Sequence, residues 1–219
     1  MIAVYIHVPY ASFRKSYARA YAESYMLPPP STIYGMLLSL VGERFRNRHS
    51  DVQLAFAFGS MPKKAVTLRK LSRLKYGVPS KQSSLGNAPD FVESLCGIEL
   101  LCWIDSSREN MEQRTLEERV TEAIEQPDKI ERYGLLSLGL SDDMVNEVSL
   151  WNQGGQFAHA KKWQRLIPKE RGSIELPVWV DHLGSSGTRW RRFDLDPEPV
   201  HLESQPGGPE WPLLSFSND

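Results

Sequence analysis

The sequence predicts an α+β fold with two helices on one face of an antiparallel sheet, and three observations carry that reading. Ile2, Val4, Ile6 and Val8 alternate with Ala3, Tyr5 and His7, the period-two pattern of a strand facing a core. Pro28, Pro29 and Pro30 lead into Ile33, Met36, Leu37, Leu40 and Val41, an apolar stripe at helical spacing. Thr115 followed by Glu118 is a capping box opening a second helix, whose inner stripe is Leu116, Val120, Ala123 and Ile124.

The elements follow in order. After the first strand, Tyr10 to Tyr25 mixes Arg14, Lys15 and Arg19 with Phe13, Tyr17, Tyr21 and Tyr25 and has no clean apolar stripe, so it reads as an ordered loop or short helix. Ser31 or Thr32 stands where the first helix wants an N-cap, and Gly42 offers its stop. Val52 to Gly59 alternates as a second strand. The turn Gly59 to Pro62 leads into Ala65 to Leu74, a third strand or one arm of a hairpin. Tyr76 to Phe91, rich in Gly, Pro, Ser and Asn, reads as a loop, and Cys96 to Asp105 as another strand. Pro127 ends the second helix. Leu135 to Leu140 and Met144 to Leu150 read as short strands around the turn Ser141, Asp142, Asp143.

Strand, helix, strand, inserted hairpin, strand, helix, strand is the order of a ferredoxin-like split βαβ unit, which leaves the second sheet face open. We place this domain at 1–150, with the insertion at about 60–95. Ile174 to Asp181 and Arg189 to Leu195 suggest a small β-rich C-terminal extension over 151–203, and 204–219, with Pro206 to Pro209, reads as a flexible tail.

With 219 residues and 41% hydrophobic content the chain can bury its own core. Cys96 and Cys102, six apart on an expected strand, should share a face as reduced thiols, far from any zinc or redox spacing. The apolar stretch Met36 to Val41 is too short for a bilayer, and the N-terminus lacks a signal peptide's basic segment, so a cytoplasmic protein with no membrane contact is expected.

The formal net charge of −1 by itself argues against a nucleic-acid binder, but the charges segregate. Lys63, Lys64, Arg69, Lys70, Arg73, Lys75 and Lys81 fall within Met61 to Lys81 without one acidic residue, whereas Asp105 to Glu131 is mainly acidic. Aromatic residues interleaved with bases at 10–25 suit RNA, whose unpaired bases stack on rings while its phosphates pair with cations. The competing reading is a solvated surface loop.

Walker-type and GxGxxG phosphate loops, HExxH and GxSxG are absent, and the five histidines stand at no ligand spacing, so neither metal nor cofactor is expected. A metal-independent ribonuclease needs only a base, an acid and a cation. His159 with Lys161 and Lys162, or His7 near Tyr5 and Tyr10, are the catalytic candidates. A histidine on an alternating strand is more commonly structural, and Lys161 with Lys162 equally suits a phosphate clamp or a turn.

Phe13 and Arg14, then Ser24 to Glu43 with Pro28, Pro29, Pro30, Ser31, Tyr34, Gly35 and Gly42, resemble the N-terminal signature of the CRISPR-associated family five. These are the RAMP-type subunits of type I Cascade complexes, and the detail is similar to the myxobacterial-type or I-B-like branch. Gly134 to Val148, with Gly139, Ser141, Asn146 and Glu147, resembles the family's later glycine-and-serine motif. The resemblance implies an RNA-recognition-type, ferredoxin-like RAMP domain whose inserted basic hairpin, the thumb, lies against a guide RNA. It implies a non-catalytic subunit capping the 5′ handle of that RNA, for antiviral defence or RNA-guided DNA targeting. The implied partners are the guide RNA, the repeated backbone subunit, the large subunit and, indirectly, target DNA.

On this reading Lys63, Lys64, Arg69, Lys70, Arg73 and Lys75 hold phosphates on one bank and Arg14, Lys15 and Arg19 on the other, with Lys161 and Lys162 as a further clamp. Ser31, Thr32 and the first helical amides receive a phosphate, and Tyr17 or Tyr21 stacks on a base. Leu140 departs from the family's polar or basic preference between glycine and serine, which points to packing there. One branch of the family processes repeat RNA with Tyr, Lys and His, a set that does not align here. Repeat-RNA endoribonuclease and pure protein-interaction subunit remain the alternatives.

Overall fold

β1 forms where the alternation put it, over Ile2–Ala11, and sends Val4, Ile6 and Val8 into the main core. The structure, a computed structural model, describes residues 1–18, 21–73, 86–110, 112–151, 162–184, 186–201 and 214–216, with backbone alone at 70–73, 86–89 and 200–201. β2 is Tyr21–Ala22, α1 Pro30–Leu40, β3 Gln53–Phe58, β4 Lys63–Arg73, β5 Gly86–Asp105 and α2 Leu116–Glu125. β6 is Glu147–Leu150, β7 Lys162–Pro168, β8 Ile174–Trp179, β9 Arg189–Leu195, β10 Val200–His201 and β11 Leu214–Ser215. The result is an α+β protein in which both helices pack on one sheet of order β6-β1-β5-β3-β7-β9-β8.

β5 is the spine. Its second half pairs antiparallel with β1 on one side and β3 on the other, Cys102 standing between Val4 and Phe56. Its first half leaves the core and pairs with β4 from Lys63↔Cys96 to Arg73↔Gly86. The loop expected over 76–91 therefore gives way to strand from Gly86, because β4 supplies backbone partners that local composition cannot reveal. Residues 76–85 lie outside the described residues.

Several other expectations change. α1 is capped not by Ser31 or Thr32 but by Pro29 in extended geometry, with Pro30 as the first helical residue and no side-chain cap bond. Proline's fixed φ starts the helix one turn position earlier, and its missing N–H needs no cap. Residues 135–140 form no strand; a single bridge joins Ser137 to Met144. Leu95 and Ile98, three apart, both enter the main core because the backbone turns at Gly97, φ 72°, so Cys96 and Cys102 do not share a face. Burial pushes the Cys102 thiol far up, and Cys96 is half-buried.

The second sheet face is not open at its centre. Tyr5, Ala55, Ala57, Leu101, Trp103, Trp151 and Trp163 are buried there, with Trp163 edge-on to both Tyr5 and Trp151. These are the small and aromatic residues that alternate with the aliphatic ones, and on a two-sided sheet they become a second core. Lys162, expected in a turn or clamp, is an exposed residue of β7. Within the span read as a flexible tail, β11 pairs with β3, and Leu214 and Phe216 are buried in the core. No helix is long and apolar enough to cross a membrane among the described residues.

A buried ionic knot locks the two helices. Arg119 of α2 donates to Glu43, to the Val41 carbonyl at 2.9 Å and toward His49 Nε2, and His49 Nδ1 meets Glu109. Glu109 also accepts the Leu116 N–H at the start of α2. Gly42, the predicted stop, takes φ 66°, and a Cβ there would stand 2.2 Å from the Glu131 carbonyl oxygen. Burial alone would raise the Glu43 carboxyl, but hydrogen bonds from Arg119, the Phe45 N–H and Arg48 outweigh it and hold the group at about 2.

The Glu43 side chain is 3% exposed, so Arg119→Ala, which removes its most buried donor and leaves the Phe45 N–H and the half-exposed Arg48, should cost about 3 kcal/mol in urea denaturation. Because the folded carboxyl titrates below its ordinary 4.5, the Glu43 contribution is complete above that pH and is lost as pH falls toward about 2. The Arg119→Ala protein should show a shallower acid dependence of its unfolding midpoint over that window.

Candidate functional site

The chain between β1 and α1 is held against β5 by buried polar groups. The Ser12 N–H donates to Asp143 Oδ2 at 2.7 Å, and the Ser12 and Ser94 hydroxyls share a bond at 2.9 Å. Glu93 accepts the Ser24 N–H at 3.0 Å, the Tyr21 hydroxyl at 2.8 Å and Lys64 Nζ at 3.3 Å. Desolvation of Glu93 would raise its carboxyl, but these three donors win and lower it. The carboxylate that orders this segment thus sits seventy residues further along the chain.

β8 and β9 close the opposite side. Ser31 donates to the Pro177 carbonyl at 2.9 Å, and Tyr34 stacks on Phe216 with ring centroids 4.6 Å apart. Between the two walls run three connected hollows. The middle one, about 560 Å³, is lined by Arg14, Ser31, Thr32, Leu140, Asp181 and Trp190, among others. It shares Ser16, Tyr25 and Trp190 with a second of about 570 Å³ that holds Lys15 and Tyr17. It shares Ser31, Thr32, Gly139 and Val180 with a third of about 340 Å³ that holds Arg46, Trp179 and His182. The hollows form one trough across the start of α1.

The trough is mixed in charge. Lys15 pairs with Glu23, which raises its ammonium pKa, and Arg14 donates to the Ala18 carbonyl at 2.8 Å while its side chain stays exposed. The Arg46 guanidinium lies 3.8 Å from the centre of the Trp179 ring, and Arg189 approaches the same ring at 5.6 Å. A guanidinium stacked on a ring keeps its in-plane N–H groups for an anion. Asp181, the acid of the middle hollow, spends its oxygens on the N–H groups of Leu183 and Gly187 in its own turn, which lowers its pKa. The amides of α1 contribute less than a usual helix start, since Pro30 has none and the Thr32 N–H already donates to the Pro29 carbonyl.

Of the residues singled out in the sequence, Arg14, Lys15, Tyr17, Ser31 and Thr32 come together in this trough. Lys63, Lys64 and Arg69 stand apart on β4. There Lys64 pairs with Glu93 and Arg69 with Asp142 at 3.7 Å, so the expected strip of unopposed charge is broken by carboxylates from other segments. Lys70 and Arg73 belong to β4 by backbone pairing, while Arg19, Lys75, His159 and Lys161 lie outside the described residues. His7 meets the Asn146 side chain through Nδ1 at 3.2 Å, on β1 and away from the trough. Among the described residues no three His, Cys, Asp or Glu side chains are placed to hold a metal ion. Sequence reasoning missed Arg46, Trp179 and Trp190. Nothing in their local pattern marks them, because the trough exists only once β8 and β9 fold back on α1.

The motif around Gly139 forms the trough's floor. Asp143 Oδ2 accepts the Leu140 N–H at 2.9 Å as well as that of Ser12. Burial raises the Asp143 carboxyl, and the two amide bonds only partly offset it. Gly139 takes φ 112°, and a Cβ there would lie 2.8 Å from both Asp143 Oδ2 and the Ser12 carbonyl oxygen. Leu140 lines the middle hollow.

Comparison with known proteins bears on this geometry. The family described as CRISPR-associated protein (Cas_Cas5) matches residues 1–96. The chain is similar to the CRISPR-associated protein Cas5 of Myxococcus xanthus (strain DK1622), 37% identical over 190 residues that cover 87% of each protein. Its fold is similar to a chain of a solved CRISPR RNA-guided surveillance complex, with TM-score 0.59 at 12% identity over 91% of this chain and 90% of the other.

Gly139→Ala should destabilise the protein by about 2 kcal/mol in urea unfolding, since alanine meets both a positive φ and backbone overlap there. A change below about 0.5 kcal/mol would show that the loop moves aside freely.

Proposed function

The chain belongs to the CRISPR-associated Cas5 family, and from that premise we propose that it binds the 5′ handle of a CRISPR guide RNA without cutting it, as a subunit of a type I effector complex. The observation that carries the reading is the trough, where Arg14, Lys15 and Arg46 lie beside Tyr17, Tyr25, Trp179 and Trp190. Cations at a phosphate's reach and rings for splayed bases are what single-stranded RNA requires. Uneven distribution lets a chain of net charge −1 do this, because binding responds to local potential.

We read the sheet order β6-β1-β5-β3, the fourth, first, third and second strands of two βαβ halves, as the ferredoxin-like split βαβ. The β4–β5 ladder is read as the thumb. It carries Lys63 and Lys64 together with exposed Val66, Leu68 and Phe91, a mixture that suits contact with RNA and a neighbouring subunit at once. The proposed partners are the guide RNA, the repeated backbone subunit and the large subunit, with target DNA reached through them. The solved chain of similar fold comes from an RNA-guided surveillance complex, which supports this assignment.

Co-expression with the other subunits should yield a complex whose co-purified RNA, when sequenced, begins with repeat-derived handle. With isolated chain and handle RNA, Arg14→Glu and Arg46→Glu should each flatten the slope of log affinity against log salt by roughly one. Absence of RNA, or slopes that do not change, overturns the assignment. RNA cut in the presence of chelator to a 2′,3′-cyclic phosphate end would make the protein an endoribonuclease instead.

A further inference from the structure

We propose that the hollow between Tyr17, Tyr25 and Trp190 receives one unpaired nucleobase, and that Glu175 at its rim favours bases bearing an exocyclic amino group over uracil. The inference rests on the RNA-binding reading above and adds a particular subsite to it.

The hollow, about 570 Å³, is within the size of small-ligand sites. Tyr17 is 67% exposed, Met26 53% and Trp190 42%, so large apolar side chains ring a concavity and stay open to water. Such a ring of surface marks a binding site more than a fold requirement. Trp190 packs against Tyr25 at a tilt of 56°, with ring centroids 6.1 Å apart, which restrains its plane as a stacking platform. Lys15 Nζ lies 5.7 Å from the Tyr17 ring centre and 6.0 Å from that of Tyr25, placing a cation beside the rings for the phosphate of the same nucleotide.

Glu175 supplies the selectivity. It is an exposed residue of β8 lining the hollow, and its ion pair with Arg192 uses Oε1 at 3.3 Å. An exposed pair of that length is weak and yields readily to a better donor. A carboxylate accepts hydrogen bonds only, so it suits the projecting amino groups of cytosine, adenine or guanine, whereas uracil offers it only an N3–H recessed between two carbonyl oxygens that repel it. The hollow opens into the trough through Ser16, Tyr25 and Trp190, so a strand lying in the trough needs to turn out only one base.

The test uses the full-length chain and a series of single-stranded RNAs carrying the repeat handle, with an abasic site at each position in turn. One position should lose about tenfold in affinity in the wild-type protein. In Tyr17→Ala and Trp190→Ala that position-specific loss should shrink to less than about threefold, with the salt slope unchanged. Placing uracil at that position should weaken wild-type binding about tenfold relative to an amino-bearing base, and Glu175→Gln, whose amide also donates, should bring the ratio near one. Because Tyr17 is largely exposed and Glu175 lies on the surface, these two variants remain informative if Trp190→Ala unfolds. Handle RNA bound with a normal salt slope but with no position sensitive to Tyr17 or Glu175 overturns the subsite alone. Wild-type protein that binds no handle RNA overturns the RNA-binding reading beneath it. Variants that leave every RNA position unchanged but weaken assembly with a neighbouring subunit would assign the hollow to a protein and overturn the proposal.

Discussion

The backbone hydrogen bonding of β5 is the constraint on which the rest of the molecule depends. Over Leu100 to Ile104 it is the centre of the core sheet, fixed between β1 and β3. Over its first ten residues it runs beside β4 and the short β2, with β1 reaching only as far as Leu95. Near the end of that first half come Glu93 and Ser94, whose side chains take the orphan donors of the segment linking β1 to α1. One strand therefore sets the core, the projecting ladder and one bank of the trough. A register slip of one residue would reverse all three at once.

Carboxylates organise this protein more than its bases do. Glu93 ties the β1–α1 segment to β5, Asp143 ties the Gly139 loop to Ser12, and Glu43 with Glu109 ties α1 to α2 through Arg119 and His49. Each is buried and met by several donors, the condition under which a buried charge is tolerated. The cost falls on the cations, since Lys64, Arg69 and Lys15 are engaged by Glu93, Asp142 and Glu23. Surface pairs of this kind are worth about 0–1 kcal/mol and exchange readily for a phosphate.

The second sheet face shows how small and aromatic residues divide labour. Ala55 and Ala57 leave room over β3 that the indoles of Trp103 and Trp163 fill, so this side of the sheet is a second core. The trough lies instead at the rim where α1, β8 and β9 meet, away from the centre of the sheet. Arg46 on Trp179 and Lys15 beside Tyr17 mark the two ends of that rim.

What the sequence determined by itself is whatever depends on neighbours a few residues away. The alternation of Ile2 to Val8 became β1, Thr115 and Glu118 formed their reciprocal cap, Pro127 ended α2, and the runs at 174–181 and 189–195 supplied β8, which stops at Trp179, and β9. The two family motifs were legible for the same reason: proline-led helix start, stop glycine and Gly139 loop are local devices. Tertiary structure alone decided the rest. The strand character of Gly86 to Phe91 needed β4, the place of Leu214 and Phe216 needed β3 and the core, and the split of Cys96 from Cys102 needed the turn at Gly97. The trough itself needed Trp179 and Trp190 to meet Arg14, Thr32 and Arg46 across more than a hundred residues of chain. Local pattern records which face of an element is apolar, but which distant carboxylate or ring will meet that face is set by strand pairing and packing.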